Sequence, residues 1–337
     1  MTGSFVCSQD DKNNARIKSR YMSENKQDVL DVVMIGAGPS ALAAAIYTTR
    51  EDLKTLLLEK GVIGGLAALT DRVDNYPGFP DGLTGLELAQ GMEKQAERFG
   101  AKIDFGTVSK LDRDEKLNLI NVSTEEGQSF QAKAVLIATG THYRELGIPG
   151  EKEFWGKGVH WCATCDGAFY RDKKLVVVGG GNSAIQEGIF LTRFAKEIEI
   201  LVRSDKLKAS EVLIEELQQY IDSGKIKLNF NTVPEEILGE EGHVTSVKTT
   251  SDGKEKIFEC DGVFEFIGLI PNTQFLEDSR VELDEYKFVK TDLSLMTSVP
   301  GVFASGDCRS GATMQIASAT GEGATAALMI RQYIEGK

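Results

Sequence analysis

Residues 29–41 read Val-Leu-Asp-Val-Val-Met-Ile-Gly-Ala-Gly-Pro-Ser-Ala. Val29–Ile35 is a short apolar run of the kind buried in a parallel sheet. Leu42–Thr49 continues it with alanine-rich, helix-forming sequence. Strand, glycine turn and helix in that order raise the Gly36-x-Gly38-x-x-Ala41 spacing from a weak match to a strong one. Gly36 permits the tight turn, Gly38 lets the backbone approach a pyrophosphate, and Ala41 allows close helix–strand packing. The helix start offers unpaired N–H groups to phosphates.

The surrounding segments extend this unit. Lys54–Leu58 reads as the next strand, and Glu59 at its end lies 23 residues after Gly36, where an acid accepts bonds from ribose hydroxyls. Gly61–Gly65 and the proline-containing stretch Asp74–Pro80 read as turns. Leu86–Phe99 reads as an amphipathic helix closed by Gly100. Ile103–Asp114, Leu117–Val122 and Val135–Gly140 read as strands.

The pattern then repeats. Lys174–Val178 leads into Gly179-Gly180-Gly181-Asn182-Ser183-Ala184, a helix over Ile185–Phe194 and a strand over Ile198–Val202, about 140 residues after the first unit. Two such units imply two bound dinucleotides. The expected fold is α/β, with two Rossmann-like, three-layer β/β/α nucleotide-binding domains. Strand-like segments over Ile226–Phe266 close the second unit. Pro300–Arg309 is a short apolar strand ending in Gly306-Asp307. An acid there, expected at a helix N-terminus, is suited to the ribityl or pyrophosphate part of a dinucleotide. Gln315–Glu335 reads as the closing helix.

Between the units stands Cys162-Ala163-Thr164-Cys165-Asp166. Two thiols two residues apart, next to a hydride-carrying nucleotide, suit thiol–disulfide exchange, with Asp166 placed to move a proton. A zinc site needs a second pair, and the remaining cysteines, Cys7, Cys260 and Cys308, are isolated. Cys260 and Cys308 are expected to be buried small residues, and Cys7 a tail thiol. His160 is expected to be a hydrogen-bonded loop histidine; the competing role is to lower the Cys162 pKa.

Bulk composition bounds the partners. The 337 residues suffice for two domains, with 41% hydrophobic and 26% charged residues, and the net charge of −13 disfavours nucleic acid and anionic membranes. No apolar run reaches the ~20 residues needed to span a bilayer. Residues 1–27 are expected to be a disordered polar tail rather than a signal peptide, with Met22 an alternative start. One close cysteine pair and no disulfide framework suit a cytoplasmic protein.

The two glycine signatures, Cys162–Asp166 followed by Gly167, Asn75-Tyr76-Pro77-Gly78 and Gly306-Asp307 occur in one order from about Val29 to Tyr333. In this the chain resembles low-molecular-weight, prokaryotic-type thioredoxin reductases. The resemblance implies a homodimer with non-covalent FAD, an FAD domain over 28–143 plus 271–337, and a nicotinamide domain over 144–270 inserted within it. It places FAD contacts on Gly36, Gly38, Pro39, Ser40, Glu59, Lys60, Gly65, Leu66 and Asn75. Asp307, Thr313, Met314, Gln315 and Ile316 complete that set. Leu66 stands where a glutamine is common, and Met314 where an arginine or similar polar residue is. By the same resemblance Cys165 lies against the flavin and Cys162 attacks the disulfide of a thioredoxin-like partner. A large rotation exchanges the two tasks, hinged near Thr141–Glu145 and Leu269–Asn272.

The nicotinamide contacts so implied are Gly179, Gly181, Asn182, Ser183, Ala184, Arg203, Ser204 and Lys208. NADPH-selective relatives carry His-Arg-Arg, three residues, then Arg. Here the stretch is Val202-Arg203-Ser204-Asp205-Lys206-Leu207-Lys208. Losing one guanidinium partner costs a 2′-phosphate roughly 1.5–3 kcal/mol. Ser204 can donate one neutral bond, and no acid closes the strand to favour a free hydroxyl. NADPH is therefore preferred over NADH. Intact Gly179, Gly181 and Ala184 argue against a non-nicotinamide donor such as ferredoxin. A flavin-binding redox sensor without turnover is the alternative from another class.

Overall fold

The structure, a computed structural model, describes residues 29–70 and 73–337. The expectations for residues 1–28, Cys7 and Met22 among them, lie outside the described residues. The chain forms two Rossmann-like sheets, each covered by helices on one face and by antiparallel strands or loops on the other.

The first sheet contains β1 (Leu30–Ile35), β2 (Thr55–Glu59), β3 (Lys102–Phe105), β4 (Val108–Asp114), β5 (Leu119–Thr124) and β6 (Ser129–Ile137), in the order β3-β2-β1-β6-β5-β4. A seventh strand arrives from the far end of the chain: Val302–Ala304 pairs in parallel with Val135–Ile137. The residues of β1 alternate between the two faces. Val32 and Met34 meet the helices, whereas Val33 and Ile35 meet β4, β5 and the loops from 276 to 308. The helices are α1 (Pro39–Arg50), α2 (Gly65–Ala68) and α3 (Gly85–Arg98). α3 opens on a capping box in which Thr84 Oγ1 accepts from Glu87 N and the Glu87 carboxylate accepts from Thr84 N.

β7 (Thr141–Tyr143) leaves this sheet for β8 (Val159–His160) and α4 (Ala163–Asp166), the turn that carries the dithiol. The second sheet adds β9 (Lys174–Val178), β10 (Glu197–Leu201) and β11 (Ile226–Asn229), with helices α5 (Asn182–Leu191) and α6 (Glu211–Asp222). The meander β12 (Thr232–Glu240), β13 (His243–Ser251) and β14 (Lys254–Glu259) covers its other face, and β15 (Gly262–Glu265) completes the order β11-β10-β9-β15-β8. Leu175 and Val177 point to the helices, and Val176 and Val178 to the meander. β16 (Leu269–Pro271) returns beside β7 as an antiparallel ribbon with Leu269 opposite Tyr143. β17 (Val302–Ala304) and α7 (Ile316–Glu335) close the chain.

Four sequence expectations are corrected. Ile103–Asp114 is two strands, because Gly106 N turns aside to bond Glu59 O and Thr107 N bonds the Glu126 carboxylate. The strand expected from Leu117 starts at Leu119, after a turn in which Asn118 takes a left-handed φ of 53°. The helix expected over Ile185–Phe194 starts directly after Gly181, at Asn182, and ends at Leu191. Asp307 does not stand at a helix N-terminus: Gly311 and Met314 both have positive φ, and the helix waits until Ile316.

Candidate active site

Cys162 and Cys165 are joined as a disulfide with their Cα atoms 5.3 Å apart. A two-residue spacer folded as the single turn α4 brings the thiols to that distance. The Cys165 N–H points at Cys162 Sγ, 3.2 Å away, and the Asp166 N–H donates to Cys162 O. Such an amide favours negative charge on Cys162 when the ring opens. Both cysteines are partly exposed. Cys260 and Cys308 are buried, as expected, and burial pushes their thiols up to about 12 and about 11.

His160 is the last residue of β8 rather than a loop residue. Its Nδ1 lies 3.2 Å from Asp166 Oδ2 and its Nε2 2.6 Å from the Tyr170 hydroxyl. Trp161 stacks on Tyr143 at 5.3 Å and tilts against Trp155 at 4.2 Å. Tyr143 belongs to β7, so the dithiol turn is held against the ribbon joining the two sheets. Burial pushes the Tyr143 hydroxyl up to about 12, with Asp307 and then Asp166 adding to the effect. The acid beside the dithiol and the acid expected at the flavin thus flank one side chain.

The expected FAD residues surround the N-termini of α1 and α7. Gly36 has φ +100°, and a Cβ there would lie 2.5 Å from Ala138 O. Gly38 caps α1 without any side-chain bond, and a Cβ added to it would meet open space, so the first amides of α1 face outward past Pro39. The Glu59 carboxylate accepts from Ala37 N at 2.7 Å and Gly61 N at 2.8 Å, which fixes it in the wall of a cavity of about 340 Å³. Lys60 lines the same cavity, and Gly65 and Leu66 begin α2. Asn75 Nδ2 donates to Gln315 Oε1 at 3.1 Å across 240 residues of sequence. Thr313 and Met314 precede Gln315, which caps α7 ahead of Ile316. Burial, then Glu322, raises the Asp307 carboxyl to about 6. The Ser40 hydroxyl is buried against Ser305 Oγ at 2.7 Å, which leaves its backbone for a ligand. An uncapped helix start, a fixed acid above a cavity and a half-desolvated carboxyl together fit an adenine dinucleotide.

The second site is more open. Gly179 has φ +144° and Gly181 caps α5 without a side-chain bond, while Ala184 is buried against the sheet. Asn182 and Ser183 are exposed at that helix start, and Asn182 Oδ1 accepts from Ser210 N. Arg203 and Lys208 are exposed, and neither forms an ion pair among the described residues. Ser204 Oγ donates to Lys206 O, so the bond expected from it to a phosphate requires the hydroxyl to turn. A hollow of about 430 Å³ beside Thr164 contains none of these residues.

Residues 30–323 match the family described as pyridine nucleotide-disulphide oxidoreductase. Thioredoxin reductase of Bacillus subtilis is 41% identical over 93% of this chain and 97% of its own. That of Listeria innocua is also 41% identical, over 92% and 96%. The chain belongs to the low-molecular-weight thioredoxin reductases. Among solved structures, thioredoxin reductase of Streptococcus pyogenes superposes with a TM-score of 0.85 at 37% identity over 92% of this chain and 99% of its own. The Lactococcus lactis enzyme titled as the FR conformation, equally 37% identical, gives 0.62 over 91% and 100%. Membership of this family identifies the enzyme as a flavin oxidoreductase with a redox-active disulfide, here Cys162–Cys165. Among the described residues no helix is long and apolar enough to cross a membrane.

Sequence reading missed Tyr170, Glu322, Glu151 and Glu265. Glu322 holds Arg309 at 2.5 Å and accepts from Gly306 N, which shapes the loop bearing Asp307. No motif marks these residues: Glu322, Glu265 and Tyr170 act on partners from other elements, and Glu151 bonds two loop amides that carry no side-chain signature.

Proposed function

We propose that this enzyme is a cytoplasmic, homodimeric thioredoxin-disulfide reductase that uses NADPH and FAD to reduce the disulfide of a thioredoxin-like protein through Cys162 and Cys165. The observation that carries the reading is the Cys162–Cys165 disulfide set against the Tyr143 ribbon, with Asp307 and Asp166 both acting on Tyr143. FAD is assigned to the unit 28–143 plus 271–337, held by Gly36, Gly38, Glu59, Asn75, Asp307 and the Thr313–Ile316 stretch. NADPH is assigned to 144–270, at the Gly181 helix start, with Arg203 and Lys208 toward its 2′-phosphate. Bound there, the cofactors supply hydride chemistry and its conversion to thiol chemistry.

The protein's own steps follow from the geometry. Opening the disulfide breaks the Sγ–Sγ bond; Cys162 is steadied by the Cys165 amide, and Asp166 moves the proton. Cys162 then attacks the partner's disulfide, and Cys165 closes on Cys162 to release the partner as a dithiol. On this reading the enzyme works in two poses, one with Cys165 toward the flavin, as the family resemblance implies, and one in which rotation about the ribbon presents Cys162 to the partner.

Anaerobic mixing of the yellow protein with NADPH and, separately, NADH tests the donor: NADPH bleaches the flavin band within seconds and NADH does so more slowly. Absence of bleaching by both rejects the nicotinamide assignment. Cys162→Ser abolishes thioredoxin-coupled turnover and keeps the flavin; surviving turnover rejects the role of Cys162. Sedimentation reads the oligomer, and a monomer at working concentration rejects the dimer.

A further inference from the structure

His160, two residues before Cys162 at the end of β8, is almost fully buried, 8% exposed. Its ring is clamped: Phe264 of the neighbouring strand β15 stacks on it at 5.2 Å, and Tyr170 meets it edge-on at 5.3 Å. Tyr170 is itself fixed against Phe264 at 5.5 Å and against Gly262, where an added Cβ would lie 2.4 Å from its ring. The imidazole therefore cannot swing. One nitrogen is committed to Asp166 Oδ2 and the other to the Tyr170 hydroxyl.

That geometry assigns the hydrogens. Ionised Asp166 can only accept, so Nδ1 carries a proton; Nε2 of the neutral ring then accepts from the Tyr170 O–H. Taking up a second proton requires only that the Tyr170 hydroxyl reverse and accept from Nε2–H. A hydroxyl does this by rotation, without moving its oxygen. Burial, then Asp166, holds the Tyr170 hydroxyl far above its ordinary range, so it stays neutral in both states. The groups facing the ring are Asp166 from the dithiol turn, Tyr170 from the segment just after it and apolar Phe264 from β15. Cys260 and Asp261 lie beyond Tyr170, and Tyr143 lies beyond Asp166.

We propose that His160 is a positioning residue and proton reservoir for Asp166, so that the proton delivered to the opening disulfide is held jointly by a Tyr170–His160–Asp166 relay. The inference rests on the reductase reading above. Reduction to the dithiol adds two electrons from the nicotinamide–flavin system, breaks the Sγ–Sγ bond and takes up two protons. One passes from the imidazolium–carboxylate pair through Asp166 to a thiolate, leaving a neutral imidazole and a carboxylate. The second enters from solvent at the partly exposed Cys162. Return of the dithiol to disulfide refills the pair. The reservoir is full when both ring nitrogens carry protons and empty when only Nδ1 does.

Two measurements test this on the flavin-loaded protein, with His160→Asn and His160→Gln made in parallel and flavin content used to check folding. The first is thioredoxin-coupled kcat/KM from pH 5.5 to 9. Wild type shows a falling limb. His160→Asn lowers the rate about tenfold, less than the 10²–10⁴ of a full acid–base group, and removes that limb. Asp166→Asn combined with His160→Asn is no slower than Asp166→Asn alone. The second measurement equilibrates the Cys162–Cys165 pair with dithiothreitol mixtures and reads it by thiol labelling, which needs neither partner nor nicotinamide. The potential–pH line of wild type carries a bend that is missing from that of His160→Asn. An unchanged bend and rate limb in both histidine variants, or effects of His160 and Asp166 that multiply, overturns the proposal. Failure of wild type to reduce thioredoxin while the bend is present and lost with His160 overturns the reductase reading alone.

Discussion

Glu151 and Glu265 bury two carboxyl groups beside each other at the junction of the two sheets, 1% and 2% exposed respectively. The Glu151 carboxyl accepts from Leu146 N at 2.8 Å and Gly147 N at 2.7 Å, just past β7. Glu265 ends β15, just before β16, and its two oxygens lack well-formed hydrogen bonds among the described residues. Burial, then the Glu151 charge, pushes the Glu265 carboxyl up to about 9, against a slight lowering by the Trp161 indole N–H.

Glu265 is therefore protonated in the fold at neutral pH and ionised in the unfolded chain. The folded state binds the extra proton between pH 4.5 and about 9, so stability falls as pH rises across that window. The slope from this one group is at most about 1.4 kcal/mol per pH unit. Glu265→Leu removes it. Denaturant unfolding at pH 6 and pH 8.5 checks this: the variant loses much less stability between the two than wild type, and it is the more stable protein at pH 8.5.

Arg203 carries the phosphate preference. Arg203→Ala raises KM for NADPH by roughly 10- to 150-fold, the equivalent of 1.5–3 kcal/mol for one charge-assisted contact, and leaves KM for NADH within about threefold. Steady-state kinetics with both coenzymes decide; equal losses show that Arg203 does not read the 2′-phosphate.

Gly323 lets α7 touch α1. A Cβ there would lie 2.1 Å from Ser40 O, and backbone cannot step aside. Gly323→Ala forces the two helix starts apart, costing on the order of 1–3 kcal/mol and weakening flavin retention. The thermal midpoint and the flavin-to-protein absorbance ratio after gel filtration both fall.

Asp307 illustrates a cost of the site to the fold. Its half-desolvated carboxyl, raised to about 6, opposes folding of the flavin-free protein as pH rises from 4 through 6. Asp307→Asn raises the apoprotein's thermal midpoint at pH 7.5 and lowers its flavin affinity. An apoprotein midpoint that falls instead shows that the carboxylate stabilises the loop.

Much of this was legible from local pattern. The turns at Gly36–Gly38 and Gly179–Gly181 and the dithiol at Cys162–Cys165 are set by chemistry within a few residues, and each stands where the sequence put it. What was illegible depends on contacts between distant segments. Gln315 meets Asn75, Ser40 meets Ser305, and Glu265 meets Glu151 only after both sheets have formed. His160 was visible as a histidine near a thiol, yet its two ring partners come from the turn that follows. Asp307 was expected at a helix N-terminus, yet the closing helix, expected from Gln315, begins at Ile316, and turns with positive φ at Gly311 and Met314 separate it from Asp307.

The two chain segments that pass between the sheets do not cross separately. Thr141–Tyr143 and Leu269–Pro271 run side by side as paired strands, extended by Arg144 N to Gly268 O and Asn272 N to Gly140 O. A pair of independent single strands would act as a ball joint, free to wander in several directions. A hydrogen-bonded ribbon is stiff against stretching and in-plane bending and soft mainly to twist. If the rotation proposed above takes place, such a ribbon confines it to essentially one rotational coordinate and carries the dithiol along a single arc.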